Sequence, residues 1–220
     1  MKKILAAMAL VLALASWSPA LADSIDPFSL TFSRITDNSP VGDQVNVLLN
    51  VSQFDTDTML FRFTNQSVLQ SVVAEIYFYD ALSLVGSMDI RNDLNVGLVT
   101  FIPGAHPGNL PGGDAYGFKT SFAALATESS NPSPTYGINP GESLTLLLNF
   151  SSSAAINSLI AGLNDRDFMV GLHVVSIAGD QSDSFINNPP GGQVPEPGTM
   201  LLMGSGLLLM GRLRKRWFKK

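Results

Sequence analysis

The chain has 220 residues, 13 basic against 18 acidic side chains, a formal net charge of −5 and no cysteine. Lacking cysteine, it has no disulfide, no thiolate nucleophile and no thiolate metal site. With only two histidines, His106 and His173, a three-histidine zinc centre is excluded.

In chain order, Lys2 and Lys3 precede an apolar run from Ile4 to Ala15, and Ala20 and Ala22 follow as small residues two apart. That order is the pattern of a secretory signal peptide over residues 1–22, read by signal peptidase and cleaved after Ala22. The alternative is an uncleaved N-terminal anchor, for which the run is short. Residues 23–190 then form one exported domain, long enough for a sizeable core. Eight of the 13 cations lie in the flanking segments but only one of the 18 acids does, so this ectodomain carries a formal charge of about −12. Such a surface repels phosphate backbones, and no nucleic-acid partner is expected.

Period-two alternation dominates the ectodomain. Val45, Val47, Leu49 and Val51 share one face; Met59, Phe61 and Phe63 alternate with Arg62 and Thr64. Val72, Ala74, Ile76 and Phe78 alternate with Glu75, Tyr77 and Tyr79. Leu144, Leu146, Leu148 and Phe150 repeat the pattern, as do Phe168, Val170, Leu172 and Val174 around His173. Weaker strands are expected at Phe28–Ser33, Leu84–Ile90, Gly97–Ile102 and Gly117–Ala123. One helix is expected, capped by Ser151–Ser153 and carrying Ile156, Leu159, Ile160 and Leu163 at helical spacing. The pattern predicts an all-β protein, an antiparallel β-sandwich of jelly-roll or immunoglobulin-like type with one short helix. Residues 103–113, dense in Pro and Gly, and residues 128–141 read as long surface loops.

Candidate chemistry is sparse. His173 reads as a surface or interface histidine and His106 as an exposed loop residue. Asp55 with Asp57, Asp165 with Asp167, and Asp180 with Asp183 are acidic pairs expected in turns. Asp55, Asp57, Asp180 and Asp183 are the best calcium candidates, yet none sits in an EF-hand loop, and turn carboxylates commonly bond local backbone. No metal or other cofactor is expected. Tyr77, Tyr79, Tyr116 and Tyr136 are the candidates for an aromatic sugar-binding platform. Asn50, Asn65 and Asn149 each begin a glycosylation sequon, attributed to chance.

Residues 191–220 close the chain with a linker, the triplet Pro195, Glu196 and Pro197, an apolar stretch from Met200 to Met210, and a basic end with Arg212, Arg214, Lys215, Arg216, Lys219 and Lys220. Counted from Gly198 to Gly211 it has about 14 residues, roughly 21 Å as a helix; a comfortable span needs about 20, so it is expected as a short transmembrane helix that crosses with tilting, local thinning or Lys and Arg side chains reaching the headgroups. Gly204, Gly206 and Gly211 weaken it further, and the cations hold its end in the cytoplasm. By physics alone, a discarded tail and a weak permanent anchor are both compatible with it. The three-part order resembles the PEP-CTERM sorting domain of exosortase substrates. Segments Phe61–Ser67, Glu75–Asp80 and Gly171–Ser184 resemble, more weakly, ectodomain segments of other PEP-CTERM proteins of unassigned function.

The resemblance implies that Pro195, Glu196 and Pro197 are the recognition motif of an exosortase-type enzyme. It also implies passage through the inner membrane of a Gram-negative, exopolysaccharide-producing bacterium to the cell surface or extracellular matrix. The expected role is structural or adhesive within the envelope, exopolysaccharide or biofilm, and not enzymatic. The alternatives are a carbohydrate-binding module and, third, an extracellular hydrolase.

Overall fold

Alternating apolar side chains give each strand one face that must leave water, and two such faces packed together form the core. The structure is a computed structural model and describes residues 25–127 and 135–188. The strands are β1 (Phe28–Leu30), β2 (Phe32–Arg34), β3 (Val47–Asp55), β4 (Thr58–Asn65), β5 (Val72–Asp80), β6 (Val85–Ile90), β7 (Phe101–Pro103), β8 (Phe122–Ala126), β9 (Ser143–Phe150), β10 (Phe168–Ile177) and β11 (Gln181–Asn187). Helix α1 (Ser153–Asp165) joins β9 to β10. One sheet has the order β1-β3-β4-β9-β6 and the other β2-β11-β10-β5-β8-β7. Their pairings are antiparallel. The fold is the expected β-sandwich.

Phe61 and Phe63 from β4, Phe78 from β5 and Phe168 from β10 are fully buried between the sheets. Phe78 meets Phe61 and Phe63 edge-on, with ring centroids 6.1 and 6.4 Å apart, and stacks on Phe122 at 4.7 Å. These offset and edge-to-face geometries suit the ring quadrupoles.

Helix α1 forms where the sequence places it. The Ser152 side chain accepts the Ala155 N–H at 3.2 Å, and Arg166 at φ 64° ends the helix. Its buried Ile156, Leu159 and Leu163 close one end of the core. At the same end Asp80 accepts the N–H groups of Leu84 and Val85, at 3.0 and 2.9 Å, and so holds the turn from β5 into β6.

The weaker strands differ from expectation for local reasons. Phe28–Ser33 is two strands, with the chain leaving one sheet for the other at Thr31, so β1 pairs with β3 and β2 with β11. Gly97 at φ 93° turns the chain, which leaves an isolated Val96–Ser143 bridge and only Phe101–Pro103 in the sheet. Gly117 at φ 72° closes a short 3-10 turn, and the strand beyond it starts at Phe122. Strand β11 has no counterpart in the pattern read from sequence.

Candidate functional site

The outer face of the six-stranded sheet is where the structure departs most from a solvated surface. Its alternation brings Glu75, Tyr77 and Tyr79 of β5 beside Met169, Gly171 and His173 of β10. The Pro- and Gly-rich chain between β7 and β8 folds down on this face. Leu110 and Phe118 pack with Tyr77, Ala123, Met169 and Ile186 into a second, smaller core. Gly171 makes room for it: a Cβ there would lie 2.6 Å from Leu110 Cδ2 and 3.2 Å from Phe118 Cζ.

Beneath this cover Glu75 is 2 % exposed. His173 Nδ1 lies 2.9 Å from its Oε2, the Tyr77 hydroxyl donates to the same oxygen at 2.7 Å, and the His106 backbone N–H donates to Oε1 at 2.7 Å. The Pro107 carbonyl, 3.1 Å from the Tyr77 hydroxyl, is a second acceptor. Burial first, and then the adjacent Glu75, push the Tyr77 pKa far above the usual phenol value. Tyr77 is therefore a neutral donor across the ordinary pH range.

Glu75 and His173 are direct register partners, and Ser184 of β11 stands opposite His173 on the next strand. An acid, an imidazole and a hydroxyl thus share one row. In this row the hydroxyl is not hydrogen-bonded to the imidazole. Ser184 Oγ is buried without a hydrogen-bond partner, and the Ser184 N–H is taken by Thr36 Oγ1 at 2.8 Å. The loop covers Glu75, which binds it through the His106 backbone N–H, while His173 stays half-buried. The arrangement clamps a loop to a sheet.

The sequence did not single out Glu75, and it read His173 as a surface or interface residue. His173 is half-buried against Glu75, while His106 is exposed and contributes its backbone. Tyr77, a candidate for an exposed platform, is instead fully buried. Tyr79 is half-buried against Phe118, Tyr136 is half-buried and Tyr116 is exposed. The four tyrosines do not make one exposed face. Asn65, read as a chance sequon, is buried; its amide donates to the carbonyls of Ser71 and Ile138 and joins two loops to β4.

The calcium candidates are not brought together as a ligand set. Asp55 and Asp57 are exposed in the β3–β4 hairpin, where Asp55 accepts the Thr56 N–H at 2.7 Å. Asp180 is exposed in the turn before β11. Asp183 lies inside β11, not in a turn, and is buried. It accepts from Thr36 Oγ1, Asn38 N–H and Ser39 N–H at 2.8 to 3.1 Å, with Arg34 at 3.6 Å. Among the described residues no three side chains of metal-ligating type converge. Arg34 also pairs with Asp37 and Asp43, and it borders a groove of about 300 Å³ lined by Phe32, Ser33, Asp43, Val45 and Phe185.

Signal-peptide residues Ala20 and Ala22, motif residues Pro195, Glu196 and Pro197, and the basic residues Arg212, Arg214, Lys215 and Arg216 lie outside the described residues. Among the described residues no helix is long and apolar enough to cross a membrane. For the tail the decisive finding comes from comparison: the family model of the PEP-CTERM protein-sorting motif matches residues 193–216. The chain carries a PEP-CTERM sorting signal. This marks an exported, membrane-transiting protein handled by an exosortase-type enzyme, with Pro195, Glu196 and Pro197 inside the matched segment. No curated protein matches the chain.

Proposed function

We propose that the sandwich is a non-catalytic structural or adhesive protein of the cell envelope or exopolysaccharide matrix of a Gram-negative bacterium, delivered there by its PEP-CTERM signal. The observation that carries this reading is the use made of the buried acids. Glu75, Asp80 and Asp183 hold a loop, a turn and a backbone segment respectively, and all three are buried. Buried polar groups fully engaged in this way rigidify a fold. The acidic, cysteine-free ectodomain suits an extracellular surface.

The test is the fate of the tail and of the domain. Intact-mass measurement of the protein from its native host is expected to show loss of the residues beyond the motif, and Glu196→Ala to hold the precursor in the inner membrane with export unaffected. A surface-located chain still ending at Lys220 overturns the processing part of the reading. In a pull-down with the host's own exopolysaccharide the mature protein is expected to co-sediment; turnover of a polysaccharide by the pure protein would overturn the non-catalytic role. The groove beside Arg34 favours a second reading, a carbohydrate-binding module, because aromatic and charged side chains meet there. Saturable binding of one defined glycan, lost on Phe32→Ala, would select it.

A further inference from the structure

Both flanking segments leave the sandwich at the same end. Ile25, the first described residue, gives its N–H to Gln53 Oε1 at 3.2 Å, next to the β3–β4 hairpin. Asn188, the last, is tied to the edge strand: its N–H donates to Thr31 O at 2.8 Å, its Nδ2 to Thr31 Oγ1 at 3.0 Å, and its Oδ1 accepts from Ser33 Oγ at 2.7 Å. It follows β11 toward the end where β10 begins, the end closed by α1. Six residues separate Asn188 from Pro195, and however they are arranged the seven chain steps between the two span at most about 25 Å. While the sorting motif is being read at the membrane, this end must stand within that distance of the enzyme reading it.

The same end has a distinctive surface. Asp26, Asp55, Asp57 and Asp165 are exposed there, with the cation Arg166 exposed beside Asp165. Phe54 at the close of β3 and Leu82 in the turn after β5 are 54 % and 50 % exposed. Exposed apolar side chains within a charged rim are the composition of a protein contact. Anionic lipid headgroups repel such a rim, whereas a basic protein surface is drawn to it.

We infer that this acidic end is a docking surface for a basic surface of the membrane-embedded processing enzyme, engaged while Pro195–Pro197 is recognised. The inference rests on the sorting reading above. The short tether makes the contact effectively intramolecular once the motif is bound, so a weak interface suffices.

The test uses the full-length chain in its native host, with pulse-chase measurement of precursor lifetime. The triple variant D55K/D57K/D165K is expected to be exported and protease-resistant like wild type but processed about tenfold more slowly, the scale of a lost electrostatic steering effect. D89K/D180K, with lysines placed elsewhere, is expected to keep the wild-type lifetime to within about twofold. Lengthening the tether by 30 Gly/Ser residues after Asn188 is expected to slow processing of wild type but not of the triple variant. Wild-type or faster processing of the triple variant overturns the docking inference alone; faster processing would mean that the acids only hold the domain away from lipid. Identical lifetimes for wild type and Glu196→Ala would overturn the sorting reading and the docking inference with it.

Discussion

On the outer face of the five-stranded sheet, Ser29, Asn50 and Arg62 stand in register across β1, β3 and β4 and meet solvent. On the outer face of the six-stranded sheet, Glu75, His173 and Ser184 stand in register across β5, β10 and β11, and there Glu75 and Ser184 are buried. Both rows are polar and both come from period-two alternation. The difference is a loop: at Ser29 and Asn50 the first face is open, and the other is roofed by Leu110 and Phe118. Alternation reports which face of a strand is apolar. It does not report which face is dry.

The sharpest way to break this contrast is to remove the same kind of group from each row. Glu75→Ala leaves the Tyr77 hydroxyl, the His106 N–H and His173 without their buried acceptor, with an expected cost of about 3–5 kcal/mol. At this size that lowers the melting temperature by roughly 10 °C. Asn50→Ala, on the open face, should change stability by no more than about 0.5 kcal/mol. Calorimetry on both variants checks the pair, and equal effects would mean that the loop does not cover Glu75.

Gly171→Ala attacks the roof from below. Its Cβ must displace the buried Leu110 side chain, at an expected cost of about 1–3 kcal/mol. Limited proteolysis should then cut between residues 104 and 117 before the sheets unfold, at a protease concentration that leaves the wild type intact.

Tyr77→Phe sharpens the comparison most gently, with a loss of about 1 kcal/mol at neutral pH. Its signature is alkaline. The folded pKa of Tyr77 lies above its unfolded value, so the stability it contributes is fully present below about pH 10 and is lost as pH rises from there toward the folded value. The wild type should therefore lose stability above pH 10 more steeply than Tyr77→Phe, measured by urea unfolding at each pH.

The core was legible because its strands repeat apolar residues without interruption; Phe61, Phe63, Leu146, Leu148, Val170 and Leu172 are all buried as their spacing requires. Helix α1 was legible because a serine cap precedes a clear helical period. Strand β11 was not: Gln181, Ser182, Asp183 and Ser184 show no alternation, and Asp183 is buried only because Thr36, Asn38 and Ser39 reach it from far along the chain. The sheet switch at Thr31 was hidden because alternation runs through it unbroken. For the Glu75 clamp the sequence does hold a clue. Gly171 interrupts an apolar strand, and a glycine within a strand signals that other chain approaches closely. Which chain approaches is a nonlocal fact.

Strand β11 is flanked by β10 on one side and β2 on the other, and the chain leaves it at the tethered end. If the mature protein grips the matrix by the opposite end and is held through its C-terminal segment, tension runs along this strand. Both ladders of β11, together with the Asn188 bonds to Thr31 and Ser33, then resist in shear, all at once, and do not open one by one like a zipper. Lifetime under load is set by the unfolding rate and not by equilibrium stability. Under that load the double-sided strand is a mechanically strong part of the domain.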